Sequence, residues 1–208
     1  MNNYIVIEGN IGSGKTSLAE RLSSDLNARL ILERFADNPF LPKFYKDADK
    51  YSFPLELSFL AERYQQMKGQ LVGQELFSER TISDYLFQKC QLFASINLPA
   101  DEFLLFGNFF SIMQANLPKP DLIVYLHKDI PYLQKNIGLR GREYERNIPD
   151  EYLKNVETAY LNFFKQLQGQ AILLVDSNRL DFVNVQADYK YLFNLINQSY
   201  SPGIHRFG

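Results

Sequence analysis

The sequence predicts an α/β fold, in which helices cover both faces of a parallel β-sheet. Three observations carry this prediction. Short β-rich runs are apolar almost throughout, which is the pattern of strands buried on both faces. Amphipathic stretches with a period near 3.6 residues lie between these runs. A glycine-rich loop joins the first run to the first amphipathic stretch, and strands that alternate with helices are typical of a parallel sheet.

Five strands and seven helices are expected. The strands are predicted at 4–9, 29–34, 81–85, 121–127 and 171–176, of which the third has the weakest pattern. The helices are predicted at 17–26, 55–71, 85–96, 102–115, 131–137, 149–167 and 183–196. Pro149 suits a helix start and is followed by two acidic residues, which favour the positive end of the helix dipole. Pro39, Pro42 and Pro54 predict a loop-rich segment before the second helix.

Composition limits the class of protein. The 208 residues are 46% apolar and 14% aromatic, enough to fill the core of a single domain over residues 1–208. The net charge of −2 argues against a nucleic-acid polymer as the main partner. The one cysteine, Cys90, excludes an intrachain disulfide, and no apolar run approaches the roughly 20 residues that span a bilayer. With no signal-peptide pattern, a cytoplasmic protein without a membrane partner is expected.

Residues 9–16 match the phosphate-binding pattern G-x-x-x-x-G-K-[ST] at every position. The loop follows a buried strand and opens a helix, so its backbone N–H groups and the helix dipole can bind an anion. Lys15 is expected to reach the β- and γ-phosphates of ATP, and the Thr16 hydroxyl to bind Mg²⁺. No Asn-Lys-x-Asp reads guanine, which favours a small-molecule kinase over a GTPase. The residues expected to bind ATP are Gly9, Asn10, Ile11, Gly12, Ser13, Gly14, Lys15 and Thr16.

Three further segments carry a resemblance to a known family. Residues 32–40 read L-E-R-F-A-D-N-P-F, followed by F-Y at 44–45 and Y-S-F-P-L-E at 51–56. Residues 139–145 read L-R-G-R-E-Y-E, followed by I-P-D-E-Y-L at 148–153. D-S-N at 176–178 precedes D-F at 181–182. With the phosphate loop, they resemble the deoxynucleoside kinase family over essentially the whole chain, and its bacterial deoxyadenosine kinase branch most of all.

The resemblance implies a P-loop kinase fold with strand order 2-3-1-4-5, an arginine lid at about 138–149 and a helix-paired homodimer. It also implies an activity, the transfer of the γ-phosphoryl group of ATP to the 5′-hydroxyl of a deoxyribonucleoside in nucleotide salvage. A nucleoside monophosphate kinase is a rival interpretation, which would need basic groups at the acceptor site. A non-catalytic module that binds a nucleotide as a switch is a more distant alternative.

Glu33 and the lid arginines are the expected catalytic groups. Glu33 lies at the end of the predicted second strand. In the resembling family this residue takes the proton from the 5′-hydroxyl, which is a poor nucleophile until its proton leaves. Arg140 and Arg142 flank a glycine and can spread the charge of the transferring phosphoryl group. Asn136 stands where the family often has a further arginine, so a less positively charged lid is expected.

Four residues are matched to binding roles through the resemblance. Tyr45 and Glu145 correspond to residues that hold the sugar 3′-hydroxyl, and the tyrosine also blocks a 2′-hydroxyl. A phenol and a carboxylate can both bond one hydroxyl. Asp181 and Phe182 correspond to a loop on the adenine side of ATP.

The third strand departs from the family, which usually ends it with an acidic residue followed by arginine and serine. Glu79 and Arg80 match that pattern by letters, whereas counting places Asp84 and Tyr85 at the strand end. Asp84 is preferred, because 81–85 is the β-prone stretch, and it is expected near Mg²⁺ or Glu33. Lys89 is expected to replace the arginine's charge, with Arg80 as the alternative.

Glu56 is the residue most informative about the base, because many family members have glutamine there. An ionised carboxylate only accepts hydrogen bonds, so it favours the exocyclic amine of adenine or cytosine. Thymine is disfavoured, and guanine stays open because it offers two donors on one edge. Deoxyadenosine is therefore the first choice, followed by deoxyguanosine and deoxycytidine. Phe53 and Phe87, with Leu55 and Phe93, are candidates for apolar or stacking walls, with ordinary core packing as an equal alternative.

Overall fold

The computed structural model describes residues 2–34, 38–71 and 80–208. Its strands are β1 Tyr4–Gly9, β2 Arg29–Ile31, β3 Thr81–Ser83, β4 Leu122–His127, β5 Ala171–Asp176 and β6 Gly203–Phe207. Its helices are α1 Lys15–Asp25, α2 Leu41–Phe44, α3 Ala48–Leu71, α4 Lys89–Asn97, α5 Ala100–Gln114, α6 Ile130–Arg140, α7 Asp150–Gln166 and α8 Gln186–Ile196. A short 3-10 helix, Glu143–Glu145, lies between α6 and α7. In these ranges, no helix is both long enough and apolar enough to cross a membrane.

The sheet is parallel throughout, in the order β2-β3-β1-β4-β5-β6. The predicted order of the first five strands is confirmed. Within the described residues the sheet has six strands, where five were predicted. The sixth, β6, pairs with β5 at the edge of the sheet. It escaped the sequence analysis because it is largely exposed and contains His205 and Arg206, so it lacks the apolar run of a central strand.

Two of the prolines that predicted a loop-rich segment lie within helices instead. Pro42 lies in the first turn of α2, where its missing N–H costs nothing. Pro54 lies inside α3, which begins at Ala48 instead of near residue 55. Leu55 and Leu60 bury the helix against the core just beyond this proline, and such packing outweighs the local preference.

Alternate residues of the central strands enter two different cores, one on each face of the sheet. The first core packs the sheet against α1 and α8 and includes Ile5, Ile7, Leu18, Leu22, Val124 and Leu192. The second packs it against α4 and α7 and includes Val6, Leu92, Ile123, Tyr125, Val156 and Tyr160. Burial of both faces explains why the strand sequences are continuously apolar.

Glu8, a buried carboxyl in β1, holds together the elements that meet beneath the phosphate loop. Its Oε1 accepts a hydrogen bond from the Leu86 N–H at 2.7 Å. Its Oε2 accepts one from the Tyr160 hydroxyl at 2.8 Å and one from the Gly9 N–H at 3.2 Å. Burial raises the pKa of this carboxyl, although Lys89 and Lys15 oppose the shift. Glu8 therefore ties β1 to α7 and to the connection after β3.

Candidate active site

A cleft of about 780 Å³, including its opening to solvent, lies where β1, β2 and β3 end. Because the strands are parallel, their carboxyl ends share one edge of the sheet, and the residues that follow them meet there. The polar lining comprises Lys15, Thr16, Glu33, Tyr45, Glu56, Arg63, Asp84, Lys89, Asn97, Arg140, Arg142 and Glu145. Sequence-predicted residues from four separate segments therefore come together in one cavity.

The phosphate loop needs glycine at two of its positions. Gly12 has φ +82°, and a Cβ there would lie 2.8 Å from the Leu133 carbonyl oxygen. Gly14 has φ +93°, and a Cβ there would lie 2.9 Å from the Phe182 ring. Both the left-handed backbone and the close packing exclude larger residues. The loop thus leads directly into α1, whose first residue is Lys15.

Lys15 extends along the inner side of the loop. Its Nζ donates to the carbonyl oxygens of Gly9 and Asn10, each at 2.9 Å. Burial, with a further contribution from the nearby Lys89, lowers the pKa of Lys15 to about 8, against the opposing effect of the surrounding carboxylates. The Asn10 side chain donates to the Leu153 carbonyl oxygen at 2.7 Å, which fastens the loop to α7.

Asp84 connects the phosphate loop to the end of β2. Its Oδ2 accepts a hydrogen bond from the Thr16 hydroxyl at 2.6 Å, and its Oδ1 accepts one from the Glu33 N–H at 2.7 Å. The structure places Asp84 directly after β3, at the strand end that the pattern indicated, while Glu79 lies outside the described residues. A hydroxyl and a carboxylate are hard oxygen ligands, so Thr16 and Asp84 fit Mg²⁺ together with substrate phosphates.

Glu33 is buried between two cations instead of lying in solvent. The Nε of Arg63 donates to its Oε1 at 2.9 Å, and the Nζ of Lys89 lies 2.7 Å from its Oε2. Burial favours the neutral acid, but Arg63 and Lys89 outweigh it and hold the pKa of Glu33 well below its ordinary value. The carboxylate is therefore ionised and fixed in orientation.

Arg63 and Asn97 are polar residues of this site that the sequence analysis missed. Arg63 has the larger electrostatic role. It lies on the buried face of α3 with Leu60 and Met67, three residues before it and four after it. A charged residue at such a position needs a partner, and that spacing was a signal available in the sequence. Besides binding Glu33, Arg63 donates through Nη1 to the Cys90 sulfur at 3.2 Å.

Of the two residues predicted to replace the family arginine, Lys89 lies in the site and Arg80 does not. Lys89 opens α4 and reaches Glu33, as described above. Arg80 precedes β3 at the amino edge of the sheet, where its side chain donates to Asn197 at 3.0 Å. A residue before a parallel strand lies at the opposite edge from the cleft, so the structure does not bring Arg80 to the site. Tyr85, at the position of the family arginine, instead donates to Gln66 at 2.9 Å.

The predicted lid lies between α6 and α7. Gly141, with φ 72°, ends α6 after Arg140. Both Arg140 and Arg142 pair with the buried Glu145. The Nη1 of Arg142 lies 3.2 Å from the Oε1 of Glu145. Asn136, where a further arginine was considered, donates to the Gly12 carbonyl oxygen at 2.8 Å. The helix that carries the lid is thus joined to the phosphate loop by an amide.

Tyr45 lies beside the lid and lines the cleft together with Glu145. Its ring stacks on Tyr144, with centroids 5.9 Å apart and an interplanar angle of 21°. Burial, with smaller contributions from Tyr152 and Glu145, raises the pKa of the Tyr45 phenol above its ordinary value. The phenol therefore keeps its proton and can donate a hydrogen bond into the cleft.

Glu56 is a buried carboxyl with one free oxygen. Its Oε1 accepts a hydrogen bond from Asn97 Nδ2 at 2.7 Å, whereas its Oε2 has no partner among the described residues. Burial raises the pKa of Glu56 to about 7, while the bond from Asn97 and the charges of Arg63 and Lys89 oppose the shift. An unpaired buried oxygen that lines a cleft indicates a contact reserved for a ligand.

Besides Arg80, four residues predicted to bind outside the phosphate loop do not line the cleft. Phe87 is buried in the core beside α3 and stacks on Phe110 with centroids 5.4 Å apart, and Phe53, within α3, packs against the same core. Phe182 is buried against the phosphate loop, and Asp181 is exposed and accepts a bond from the Asn184 N–H at 3.1 Å. The apolar lining of the cleft includes the predicted Leu55 and Phe93, together with Ile11, Leu41, Phe44 and Phe59. Helical periodicity placed these aromatic residues on buried faces without separating core from cleft.

The fold and site define a P-loop phosphotransferase, with a phosphate loop, a carboxylate at the end of the next strand and an arginine lid. A family model described as deoxynucleoside kinase matches residues 5–200. The chain belongs to the deoxynucleoside kinase family.

Its relatives do not share one substrate name. The chain is 35% identical to a deoxyguanosine kinase from Bacillus subtilis, over 90% of this chain and 92% of that one. It is 30% identical to a deoxyadenosine kinase from Lactobacillus acidophilus, over 92% and 94% of the two chains. A structure of deoxyadenosine kinase from M. mycoides with products dCMP and dCDP superposes with a TM-score of 0.78 at 25% identity, covering 93% and 98% of the chains. The family therefore leaves the nucleoside open.

Replacing Glu56 by Gln should change how stability depends on pH. A carboxyl whose pKa is near 7 when folded and near 4.3 when unfolded stabilises the fold fully below the lower value, and this contribution is lost as pH rises through the higher one. Between pH 5 and pH 8 the wild type should therefore lose about 2 kcal/mol of unfolding free energy relative to Glu56→Gln. Urea unfolding of the nucleotide-free proteins measures this. Parallel pH profiles would contradict the assignment.

Proposed function

We propose that this protein transfers the γ-phosphoryl group of ATP to the 5′-hydroxyl of a deoxyribonucleoside, with deoxyadenosine as the first candidate and deoxyguanosine as the second. The observation that carries the proposal is the meeting of Glu33, the Thr16–Asp84 pair and the lid arginines in one cleft. Deoxycytidine is a further candidate, because its base also carries an exocyclic amine.

Glu33 is the proposed catalytic base. The 5′-oxygen attacks the γ-phosphorus, the bond from that phosphorus to the oxygen bridging to ADP breaks, and the hydroxyl proton passes to the Glu33 carboxylate. Arg63 and Lys89 keep that carboxylate ionised and aimed. The low pKa of Glu33 suits a late transfer of the proton. Phosphoryl transfer has a loose transition state, so the alcohol loses its proton only as the new bond to phosphorus forms.

The phosphate loop and Lys15 are the proposed binding groups for the ATP phosphates. Thr16 and Asp84 would hold Mg²⁺, which when bound neutralises charge on the phosphates. The loop at Asp181 and Phe182 is proposed to adjoin the adenine of ATP. The contact of Phe182 with Gly14 supports this placement, although neither residue lines the cleft described above.

Tyr45 and Glu145 are proposed to bind the sugar. The phenol can donate to the 3′-hydroxyl and the carboxylate can accept from it. Glu145 is already paired with Arg140 and Arg142, so a bound 3′-hydroxyl would compete with the lid arginines for this carboxylate. Binding of the nucleoside would then free positive charge for the transferring phosphoryl group, which couples the acceptor to the lid.

A nucleoside monophosphate as acceptor is the weaker alternative. An acceptor phosphate needs cationic groups that can contact it. Arg63 and Lys89 are both bound to Glu33, an arrangement that favours an alcohol acceptor.

Replacing Glu33 by Gln tests this function. The assay combines purified protein, ATP and Mg²⁺ with each of four deoxynucleosides and separates the products, with the monophosphates run in parallel. The wild type should form a deoxynucleoside monophosphate, and Glu33→Gln should lower kcat by about 10²-fold or more while changing the KM for ATP little. Glu62→Gln, on the same helix as Arg63, serves as the matched control. Equal activity would remove Glu33 as the base, and no product from any deoxynucleoside would overturn the function.

We also propose a homodimer that pairs through α5. This helix exposes Leu104, Leu105, Phe109 and Ile112 along one stripe, an apolar surface that a second copy could bury. Light scattering should give about twice the 24.2 kDa of one chain, and Ile112→Glu should shift the protein toward the monomer. A wild type that is monomeric at micromolar concentration would contradict the proposal.

A further inference from the structure

The base-facing end of the cleft contains a carboxyl in an unusual setting. Glu56 is 2% exposed, and it lines the cleft with Asn97, Phe93 and Tyr152. Asn97 Nδ2 occupies Oε1, which leaves Oε2 buried, unpaired among the described residues and available to the cleft. A ligand that reaches this oxygen recovers a hydrogen bond that the free protein lacks.

The bond from Asn97 determines what each protonation state of Glu56 can offer. Because Oε1 accepts from Asn97, a neutral carboxyl carries its proton on Oε2, where it can donate into the cleft. An ionised carboxylate presents two acceptors and no donor. One side chain can therefore present two different hydrogen-bonding patterns to the same ligand.

These two patterns match different bases. Guanine has two adjacent donors, its ring N1–H and its 2-amino group, which suit an ionised carboxylate. Adenine has an acceptor, N1, beside its 6-amino donor, and cytosine has N3 beside its 4-amino donor. Those edges suit a neutral carboxyl, which donates once and accepts once. An ionised carboxylate would face the N1 or N3 acceptor, which reverses the expectation from the sequence that this form favours adenine or cytosine. A mismatch leaves two acceptors or two donors facing each other, which a buried site penalises strongly.

We propose that the protonation state of Glu56 selects the base, so that the ionised form favours deoxyguanosine and the neutral form favours deoxyadenosine and deoxycytidine. Asn97 is the positioning residue that makes the two forms distinct. This inference rests on the proposed function, since it concerns the acceptor of the same reaction.

The groups around Glu56 allow both forms near neutral pH. Burial disfavours the charge on Glu56, and Glu33 adds to this effect. Burial and Glu56 in turn raise the pKa of the Tyr152 phenol, which therefore stays neutral. Arg63 and Lys89 favour the charge, but both are bound to Glu33, which neutralises part of their field. Cys90, the remaining titratable group that faces this cluster, is a buried thiol whose pKa is raised by burial, so it stays neutral. The pKa of Glu56 near 7 follows from this balance.

The test is the ratio of kcat/KM for deoxyguanosine to kcat/KM for deoxyadenosine, measured from pH 6 to pH 8. Effects of pH on Glu33, Lys15 or the lid act on both substrates and cancel in the ratio. Since kcat/KM reports the free enzyme, the ratio should rise with pH by up to about tenfold per unit, and by at least about tenfold over the range.

Three variants test whether Glu56 causes the change of this ratio with pH. Glu56→Gln, which always offers one donor and one acceptor, should give a low ratio that does not change with pH. Asn97→Ala removes a donor that favours the ionised form, so its ratio should rise only at higher pH than in the wild type. Glu62→Gln, a matched change on the same helix outside the cleft, should behave as the wild type.

The possible results are distinguishable. A wild-type ratio constant within about twofold, or a ratio in Glu56→Gln that still rises with pH, would overturn this inference and leave the proposed function standing. Failure to phosphorylate any deoxynucleoside at any pH would overturn the proposed function and this inference together.

Discussion

One oxygen of Asp84 accepts a hydrogen bond from Thr16, and the other accepts one from the N–H of Glu33. The first bond reaches α1, the helix that follows the phosphate loop. The second reaches the chain just after β2. A single carboxylate therefore sets the distance between the phosphate loop, proposed to bind ATP, and Glu33, proposed to take the proton from the nucleoside. Because proximity of two substrates accounts for much of the rate of a transfer reaction, this spacing limits what the rest of the site can do.

Two carboxyls in the same cleft have opposite electrostatic settings. Glu33 is held by Arg63 and Lys89, and its pKa falls. Glu56 is buried with an amide as its direct partner, and its pKa rises to about 7. When the surroundings of two nearby acids shift their pKa values in opposite directions, the two acids commonly have separate roles. This contrast agrees with the proposed roles, in which Glu33 accepts the proton and Glu56 contacts the base.

The elements that could be predicted from the sequence are those with a local pattern. The phosphate loop matches a motif whose spacing follows from the anion that it binds. Asp84 could be preferred to Glu79 because the strand pattern locates the end of the strand. Lys89 could be proposed as the nearby cation because it lies about one helical turn further along the chain. Each of these inferences needed only the period of an element and the direction of a parallel strand.

The remaining features depend on contacts between distant segments. Arg63 and Asn97 acquire their meaning from Glu33 and Glu56, which belong to other elements, and no spacing along the chain records those pairs. The same reason explains why Phe87 was expected in the cleft, since a buried helical face does not say what it is buried against. Edge strand β6 was missed because an exposed strand lacks the apolar run that marks a central one.

Steady-state kinetics of Asp84→Ala, with ATP and the deoxynucleoside both varied, test whether Asp84 couples the two halves of the site. Alanine removes both acceptors, so the Thr16 hydroxyl and the Glu33 N–H each lose their partner. The account predicts a lower kcat together with changed KM values for both substrates. A change confined to ATP would contradict it.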